Sequence, residues 1–213
     1  TMLFAPGEAT LKLRRASSLL AGFGGMALLA RWLQRGSPDS ATLRLRLLGA
    51  EPASRWEGES ALAGRSHYYL GNDPRRWVTE VEHFGRLRSR GVYPGIDLVY
   101  YDGGGKLEYD FHVAPGADPS AIRWVAEGAE RVELLPGGDL RLVTAIGDVR
   151  VHRPIAWQTA PDNGRREIAA RFVVDAAQRI GFALEGHDRS RPLVIDPVIA
   201  WAALVGRSEE HTS

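Results

Sequence analysis

The chain contains no cysteine among its 213 residues. Disulfide bridges, thiolate nucleophiles and cysteine-ligated zinc sites are therefore all excluded. The absence of cysteine does not by itself assign a cellular compartment, because many exported bacterial proteins also lack it.

A surplus of charge of either sign is also missing. The 27 basic and 26 acidic residues leave a formal net charge of +1. No field over the whole protein would attract nucleic acid or an anionic membrane. Only Lys12 and Lys106 are lysines, and we interpret the excess of arginine as a bias of gene composition. We therefore expect no nucleic-acid partner.

Long apolar runs are scarce as well. Residues 19–30, LLAGFGGMALLA, resemble the core of a secretion signal, but they include three glycines and are too short to span a bilayer. One interpretation is the remnant of a signal. The other is a short helical or loop insertion near residues 16–36, ended by turn-forming residues after Gly36. Either way, we expect no transmembrane span.

Strand patterns occupy most of the remaining sequence. With 44% hydrophobic and 25% charged residues, the chain can bury a core. Leu43, Leu45 and Leu47 alternate with arginines, as expected of a strand with one buried face. Turn signals recur at the spacing typical of sandwiches. The sequence predicts a mainly β fold, an antiparallel β-sandwich-like domain of hairpins and meanders.

Residues 93–119 give the clearest local pattern, a β-hairpin. Three glycines at 103–105 supply the positive φ values of a tight turn. An even-numbered loop would place Asp97 opposite Asp110, with Glu108 diagonal to Asp97 on the same face. The other face would hold the alternating apolar residues and be buried, namely Ile96, Leu98, Tyr100, Leu107, Tyr109, Phe111 and Val113.

Asp97, Glu108 and Asp110 are the only metal-ligand candidates. Opposed carboxylates destabilise a strand pair unless a cation, an arginine or a shared proton intervenes. Calcium is one solution, because it prefers oxygen ligands. Pairing with a neighbouring arginine, or simple solvation, is the other. The sequence predicts no catalytic or cofactor-binding residue.

Other polar and aromatic motifs favour structural roles. His187, Asp188 and Ser190 lie too close together in an apparent turn to form a catalytic triad with Asp196. Trp77, after a turn-forming Asn-Asp-Pro sequence, is expected to fill the core. A carbohydrate-stacking surface would require at least two exposed side chains among Tyr101, Trp124 and Trp157.

Three segments together resemble a known family. They read YYLGNDPRRW (68–77), GVYPGIDLVYYDGGGKLEYDFHVAPGADPSAIR (91–123) and SRPLVIDPV (190–198). They are similar to the N-terminal domain of unknown function that precedes SBBP-type β-propeller repeats in large bacterial secreted proteins. The resemblance implies a β-rich module on an exported or surface protein, and it carries over no catalytic residue.

The resemblance also suggests how the chain is organised. We expect a single β-rich domain over residues 1–198 that is truncated at its N-terminus, with a secretion signal lying upstream. Residues 199–206 would begin a linker strand toward a propeller repeat. Residues 207–213, RSEEHTS, resemble a translated sequencing adapter, and we interpret them as a disordered artefact. The alternative is a natural polar tail.

The expected function is that of a non-catalytic extracellular structural or interaction module that caps or presents a downstream β-propeller. Its partners would be propeller repeats of the same polypeptide and extracellular carbohydrate or protein, with the protein secreted or at the cell surface. Two alternatives are a polysaccharide-acting enzyme domain and a calcium-dependent adhesion or carbohydrate-binding domain. An enzyme would need Asp97, Glu108 and Asp110 in a cleft beside exposed aromatics.

Overall fold

A computed structural model describes residues 2–5, 7–14, 40–102, 107–160 and 163–197. Strands dominate these ranges, with single 3-10 turns at Pro74–Arg76 and Pro119–Ala121. The predicted mainly β fold is confirmed. The insertion near residues 16–36, the three glycines at 103–105 and segments 199–206 and 207–213 lie outside the described residues.

The described strands are numbered in chain order. They are β1 (Met2–Ala5), β2 (Glu8–Arg14), β3 (Ser40–Leu47), β4 (Arg55–Tyr68), β5 (Val78–Tyr93), β6 (Ile96–Asp102), β7 (Leu107–Val113), β8 (Arg123–Glu127), β9 (Arg131–Leu134), β10 (Leu140–Thr144), β11 (Gly147–Val151), β12 (Ile155–Thr159), β13 (Arg165–Val174), β14 (Ile180–Glu185) and β15 (Leu193–Asp196). No helix in the described ranges is long and apolar enough to cross a membrane.

Twelve of these strands form one antiparallel sheet, in the order β1-β2-β3-β8-β14-β13-β12-β15-β7-β6-β5-β4. Strands β9, β10 and β11 form a small second sheet. Side chains from strands far apart in the large sheet share one core: Leu43 and Leu45 of β3 cluster with Leu98 of β6 and Phe111 of β7. The large sheet therefore curls over and supplies both layers of a sandwich-like fold.

The β6–β7 hairpin has the predicted faces. Ile96 pairs with Val113, Leu98 with Phe111 and Tyr100 with Tyr109, and these residues belong to the core or pack against it. Alternation with a period of two is enough to determine which face packs into the main core, although Val99 and Asp110 on the other face are also buried.

The predicted register of this hairpin is wrong by two positions. Asp97 lies opposite His112, and Val99 lies opposite Asp110. Pairing extends to Asp102 and Leu107, so the turn comes one residue later than expected. Moving the turn by one residue preserves the faces and changes every cross-strand partner, which is why alternation alone could not determine the register.

Two strands change partners along their length. Strand β5 pairs with β6 only between Arg86 and Tyr93, although the β4–β5 pairing continues to Tyr68 and Val78. Strand β13 pairs with β12 over Arg165–Ile168 and with β14 over Ala169–Val174. The first change leaves a hairpin that projects from the sheet, and the second leaves a strand edge beside the small sheet.

Candidate functional site

The three predicted carboxylates do not form one site. Asp97 accepts a hydrogen bond from the backbone N–H of Gly91 at 2.9 Å and another from the Arg88 guanidinium at 3.2 Å. The Arg90 guanidinium lies 3.6 Å from the same carboxylate. Of the two solutions left open by the sequence, arginine pairing is the one found at Asp97.

Arg88 joins two carboxylates from different strands. Its Nε lies 2.5 Å from Oε1 of Glu59 on β4, and its Nη1 reaches Asp97 on β6. The Arg88 side chain is largely buried, so solvent screens these ion pairs less than pairs on an open surface. The hydrogen bond from Arg88 also lowers the pKa of Glu59. This cluster ties β4, β5 and β6 together.

Asp110 has a different environment. It is only 8% exposed and accepts a hydrogen bond from the Tyr101 hydroxyl at 3.1 Å. The β7–β15 register pairs Phe111 with Ile195, so the next position places Asp196 opposite Asp110. Sequence reasoning missed this neighbour, because Asp196 ends a short strand more than 80 residues away and no local pattern joins it to β7.

Burial raises the pKa of both carboxyls. The pKa of Asp110 rises to about 6, mainly because the side chain is desolvated. The pKa of Asp196 rises to about 7, through desolvation and then through the charges of Asp110 and Glu108. The guanidinium of Arg165 partly offsets both increases. Desolvation and mutual repulsion thus favour the protonated form of these carboxyls at pH values where an exposed aspartate is ionised.

The other residues considered as candidates have structural roles. Ser190 donates its hydroxyl to Asp188 at 2.7 Å within one turn, so this serine is not activated by a histidine. Trp124 is buried, and the Arg165 guanidinium lies 4.4 Å from the Trp157 ring centroid. The Arg86 guanidinium lies 5.6 Å from the Tyr101 ring centroid. These three aromatic residues do not form an open carbohydrate-stacking surface.

The exposed apolar surface lies instead on the projecting part of the β4–β5 hairpin, residues 61–84, which we call the arm. Trp77 is 39% exposed and Tyr69 is 62% exposed. The prediction that Trp77 fills the core is wrong, because this part of the hairpin extends past β6. The arm carries these large exposed apolar side chains: Leu62, Tyr68, Tyr69, Leu70, Trp77, Val78 and Phe84.

Local contacts hold the tip of the arm in shape. The Trp77 indole N–H donates to the Gly71 carbonyl at 3.0 Å. The rings of Tyr69 and Trp77 meet edge to face with centroids 5.1 Å apart, and His67 stacks on Tyr69 at 6.2 Å. Asp73 caps the 3-10 turn by accepting from the Arg75 N–H. The aromatic rings are thus ordered before any partner binds.

A family model described as Domain of unknown function (DUF7948) matches residues 27–198. The chain belongs to this family. Comparisons with curated proteins and with solved structures found no match. The matched residues include the β6–β7 hairpin, the arm and the carboxyl pair, and the description of the family names no activity.

The charges on the arm of this DUF7948 domain largely neutralise one another. Arg65 lies 3.4 Å from Glu80 and 3.0 Å from Glu82, and Arg75 lies 3.1 Å from Asp73. A mutually paired set of charges contributes little long-range attraction. Apolar contact is therefore the main driving force that the arm offers to a partner.

Within the described ranges, no three Asp, Glu or His side chains are grouped as metal ligands. Calcium binding at Asp97, Glu108 and Asp110 stays a prediction that the observed geometry does not support. The arm was not predicted as a surface, although its signal is visible in the sequence as Tyr68, Tyr69, Leu70 and Trp77 around a turn.

Proposed function

We propose that this DUF7948 domain is a non-catalytic extracellular interaction module that caps or presents a downstream β-propeller by docking through the arm. One observation carries the proposal: seven of the nine large hydrophobic side chains exposed in the described part of the chain lie on the arm. Concentrated exposed apolar surface is characteristic of protein interfaces.

The form of the arm supports docking onto a folded protein. A two-stranded ribbon is marginally stable without a third strand or a packed layer, so a partner surface would stabilise it. Tyrosine and tryptophan are the residues most enriched among interface hot spots. Since Tyr69 and Trp77 are already held by Gly71 and His67, little side-chain entropy would be lost on binding.

A propeller is the partner we favour, for two reasons. The resemblance quoted above places domains of this type before SBBP-type repeats, which implies export and a neighbour in the same polypeptide. The outer strands of propeller blades are edge strands, and proteins commonly protect such edges by covering them with another segment. The paired charges of the arm argue against attraction to an anionic membrane.

The test is a binding measurement with a purified SBBP-type propeller protein as the probe. Titration calorimetry would compare the 213-residue chain with a variant carrying Tyr69→Ser, Leu70→Ser and Trp77→Ser. We expect the triple variant to bind at least tenfold more weakly, because truncating a hot spot costs about 2 kcal/mol or more.

Leu134→Ser is the matched control, because Leu134 is also half-exposed but lies on β9, away from the arm. Its affinity should equal that of the unchanged chain. The proposal fails if the unchanged chain does not bind the propeller, or if the triple variant binds equally well. Binding of a β-glucan or chitin oligosaccharide at the arm instead would favour the carbohydrate alternative, and a rise in Tm with calcium would favour calcium-dependent adhesion.

A further inference from the structure

A cleft of about 560 Å³ lies between the large sheet and the small sheet. This volume is in the range of sites that hold small or peptide-sized ligands. One wall comes from β13, and the other comes from the start of β10 and the connection between β11 and β12. The residues that line it are Asp139, His152, Arg153, Pro154, Ile155, Glu167, Ile168, Ala169 and Ala170.

The β13 wall includes a strand edge. Strand β12 pairs with β13 only as far as Ile168. From Ala169 onward, the described strand that pairs with β13 is β14. In the described part of the chain, no strand is registered on the other side of this stretch. The side chains of this stretch are small, with Ala169 exposed and Ala170 half-buried. A strand edge of this kind is a template for main-chain pairing with an added segment.

The buried carboxylate of Asp139 holds the opposite wall of the cleft in place. Asp139 accepts the backbone N–H of Arg153 at 2.8 Å, the Arg150 Nε at 2.6 Å and the His152 Nδ1 at 3.1 Å. Its hydrogen bonds hold the pKa of Asp139 below the ordinary value despite desolvation. The cleft is therefore formed in advance of binding.

The side chains around the cleft include one positive charge, one negative charge and one exposed apolar group. Arg153 and Glu167 are exposed, and neither forms an ion pair within the described ranges. Ile155 is 44% exposed at the same cleft. Among the described residues that line the cleft there is no Phe, Tyr or Trp, the side chains on which carbohydrates typically stack, and the one ring present, His152, is hydrogen-bonded to Asp139. The combination of a backbone edge, two opposite charges and an aliphatic contact matches an extended peptide.

We propose that this cleft binds an extended segment of another polypeptide, which adds as a strand to the edge of β13 at residues 169–170. An acidic side chain of the ligand pairs with Arg153, a basic one pairs with Glu167, and an aliphatic side chain between them contacts Ile155. This site is separate from the arm and does not depend on the function proposed for it.

The test is selection from a displayed library of random decapeptides on the immobilised 213-residue chain. We expect enriched peptides to carry an acidic and a basic residue on either side of a β-branched residue. A charge-exchange variant, Arg153→Glu with Glu167→Arg, should enrich peptides of the reversed charge order. Methylating two adjacent backbone nitrogens of a selected peptide one at a time should weaken binding at least tenfold at one of them, because only alternate N–H groups of an added strand face β13.

Arg166→Glu is the matched control, because Arg166 is an exposed β13 residue outside the cleft lining. It should leave the selected sequences unchanged, and so should the triple arm variant, which separates this proposal from the first. If the charge-exchange protein fails to fold, Arg153→Gln and Glu167→Gln should each weaken a selected peptide several-fold. The proposal is overturned if no peptide is enriched, if N-methylation has no effect, or if the charge variants bind equally well.

Discussion

The two hairpins β4–β5 and β6–β7 are neighbours in one sheet, yet they use their side chains in opposite ways. In β6–β7 the apolar face is buried, and even Val99 on the other face is only 1% exposed. In the arm of β4–β5, the aromatic residues remain in solvent and ion pairs run along the surface. Both hairpins contain tyrosines, so the presence of aromatic side chains does not by itself distinguish them.

Position in the sheet accounts for the difference. Strands β6 and β7 have a strand on both sides and the curled layer of β2 and β3 above them. The arm has no third strand beyond Arg86 within the described residues. Burial is therefore decided by long-range pairing, and the same residue types form a core in one hairpin and a docking surface in the other.

The largest contrast is expected from an aspartate placed in each hairpin. Tyr109→Asp should unfold the domain, because Tyr109 packs against Tyr100 and Phe111 and a buried charge there has no partner. We expect the free energy of unfolding to fall by more than about 4 kcal/mol. Tyr69→Asp on the arm should change stability by less than about 1 kcal/mol. Urea denaturation followed by circular dichroism measures both, and a normally melting Tyr109→Asp protein would refute the face assignment.

A second contrast compares two arginines that each contact two carboxylates. Arg88→Ala should cost about 2–3 kcal/mol, because Glu59 and Asp97 lose a largely buried partner. Arg65→Ala should cost about 0–1 kcal/mol, because Arg65, Glu80 and Glu82 are exposed. The same denaturation experiment compares them, and equal losses would contradict the difference in burial.

A third contrast lies at the base of the arm. The Phe84 ring lies directly on Gly58, so a Cβ at Gly58 would overlap the ring. Gly58→Ala should displace Phe84 and cost about 1–3 kcal/mol. Gly85→Ala is the matched control, because a Cβ there meets only ordinary contacts at 3.5 Å or more. A Gly58→Ala protein as stable as Gly85→Ala would show that Phe84 does not pack there in solution.

The smallest effect concerns the carboxyl pair formed by Asp110 of β7 and Asp196 of β15. The pKa values of Asp110 and Asp196 are raised in the folded protein, so folding favours the protonated carboxyls. Their full contribution to the free energy of unfolding is therefore present below pH about 4. It is lost as the pH rises through about 6 and about 7. Asp196→Asn should therefore be more stable than the unchanged chain at pH 8, by about 1–2 kcal/mol, and equal to it near pH 4.

Asp188→Asn is the control for this pH dependence. Hydrogen bonds from Ser190 lower the pKa of Asp188, so its contribution is present at neutral pH and is lost as the pH falls through that lowered pKa. Thermal melts from pH 4 to 8 would give the difference in Tm between each variant and the unchanged chain. Histidine titration affects both proteins alike and therefore cancels in this difference. A gain at pH 8 that persists unchanged at pH 4 would show that the raised pKa values of Asp110 and Asp196 are not its source.

Sequence reasoning succeeded where the signal was local. The alternation from Leu107 to Val113 determined the buried face of β7, because side chains in a strand alternate strictly. It failed at the register, because two turn positions gave identical faces. It also failed at Asp196, because its neighbour Asp110 lies on a strand distant in sequence. Arginine pairing of Asp97 was one of the predicted solutions, but the sequence did not identify Arg88 as the partner. Trp77 was misplaced because a local aromatic pattern does not reveal where the covering layer ends.

The position of β15 has a consequence for how the chain folds. Leu193–Asp196 is the last described strand in sequence, yet it lies inside the large sheet and pairs with β12 on one side and β7 on the other. The strands on its two sides are joined in the sheet only through it. During synthesis, the large sheet cannot close until residue 196 has left the ribosome, so earlier hairpins must wait with exposed edges.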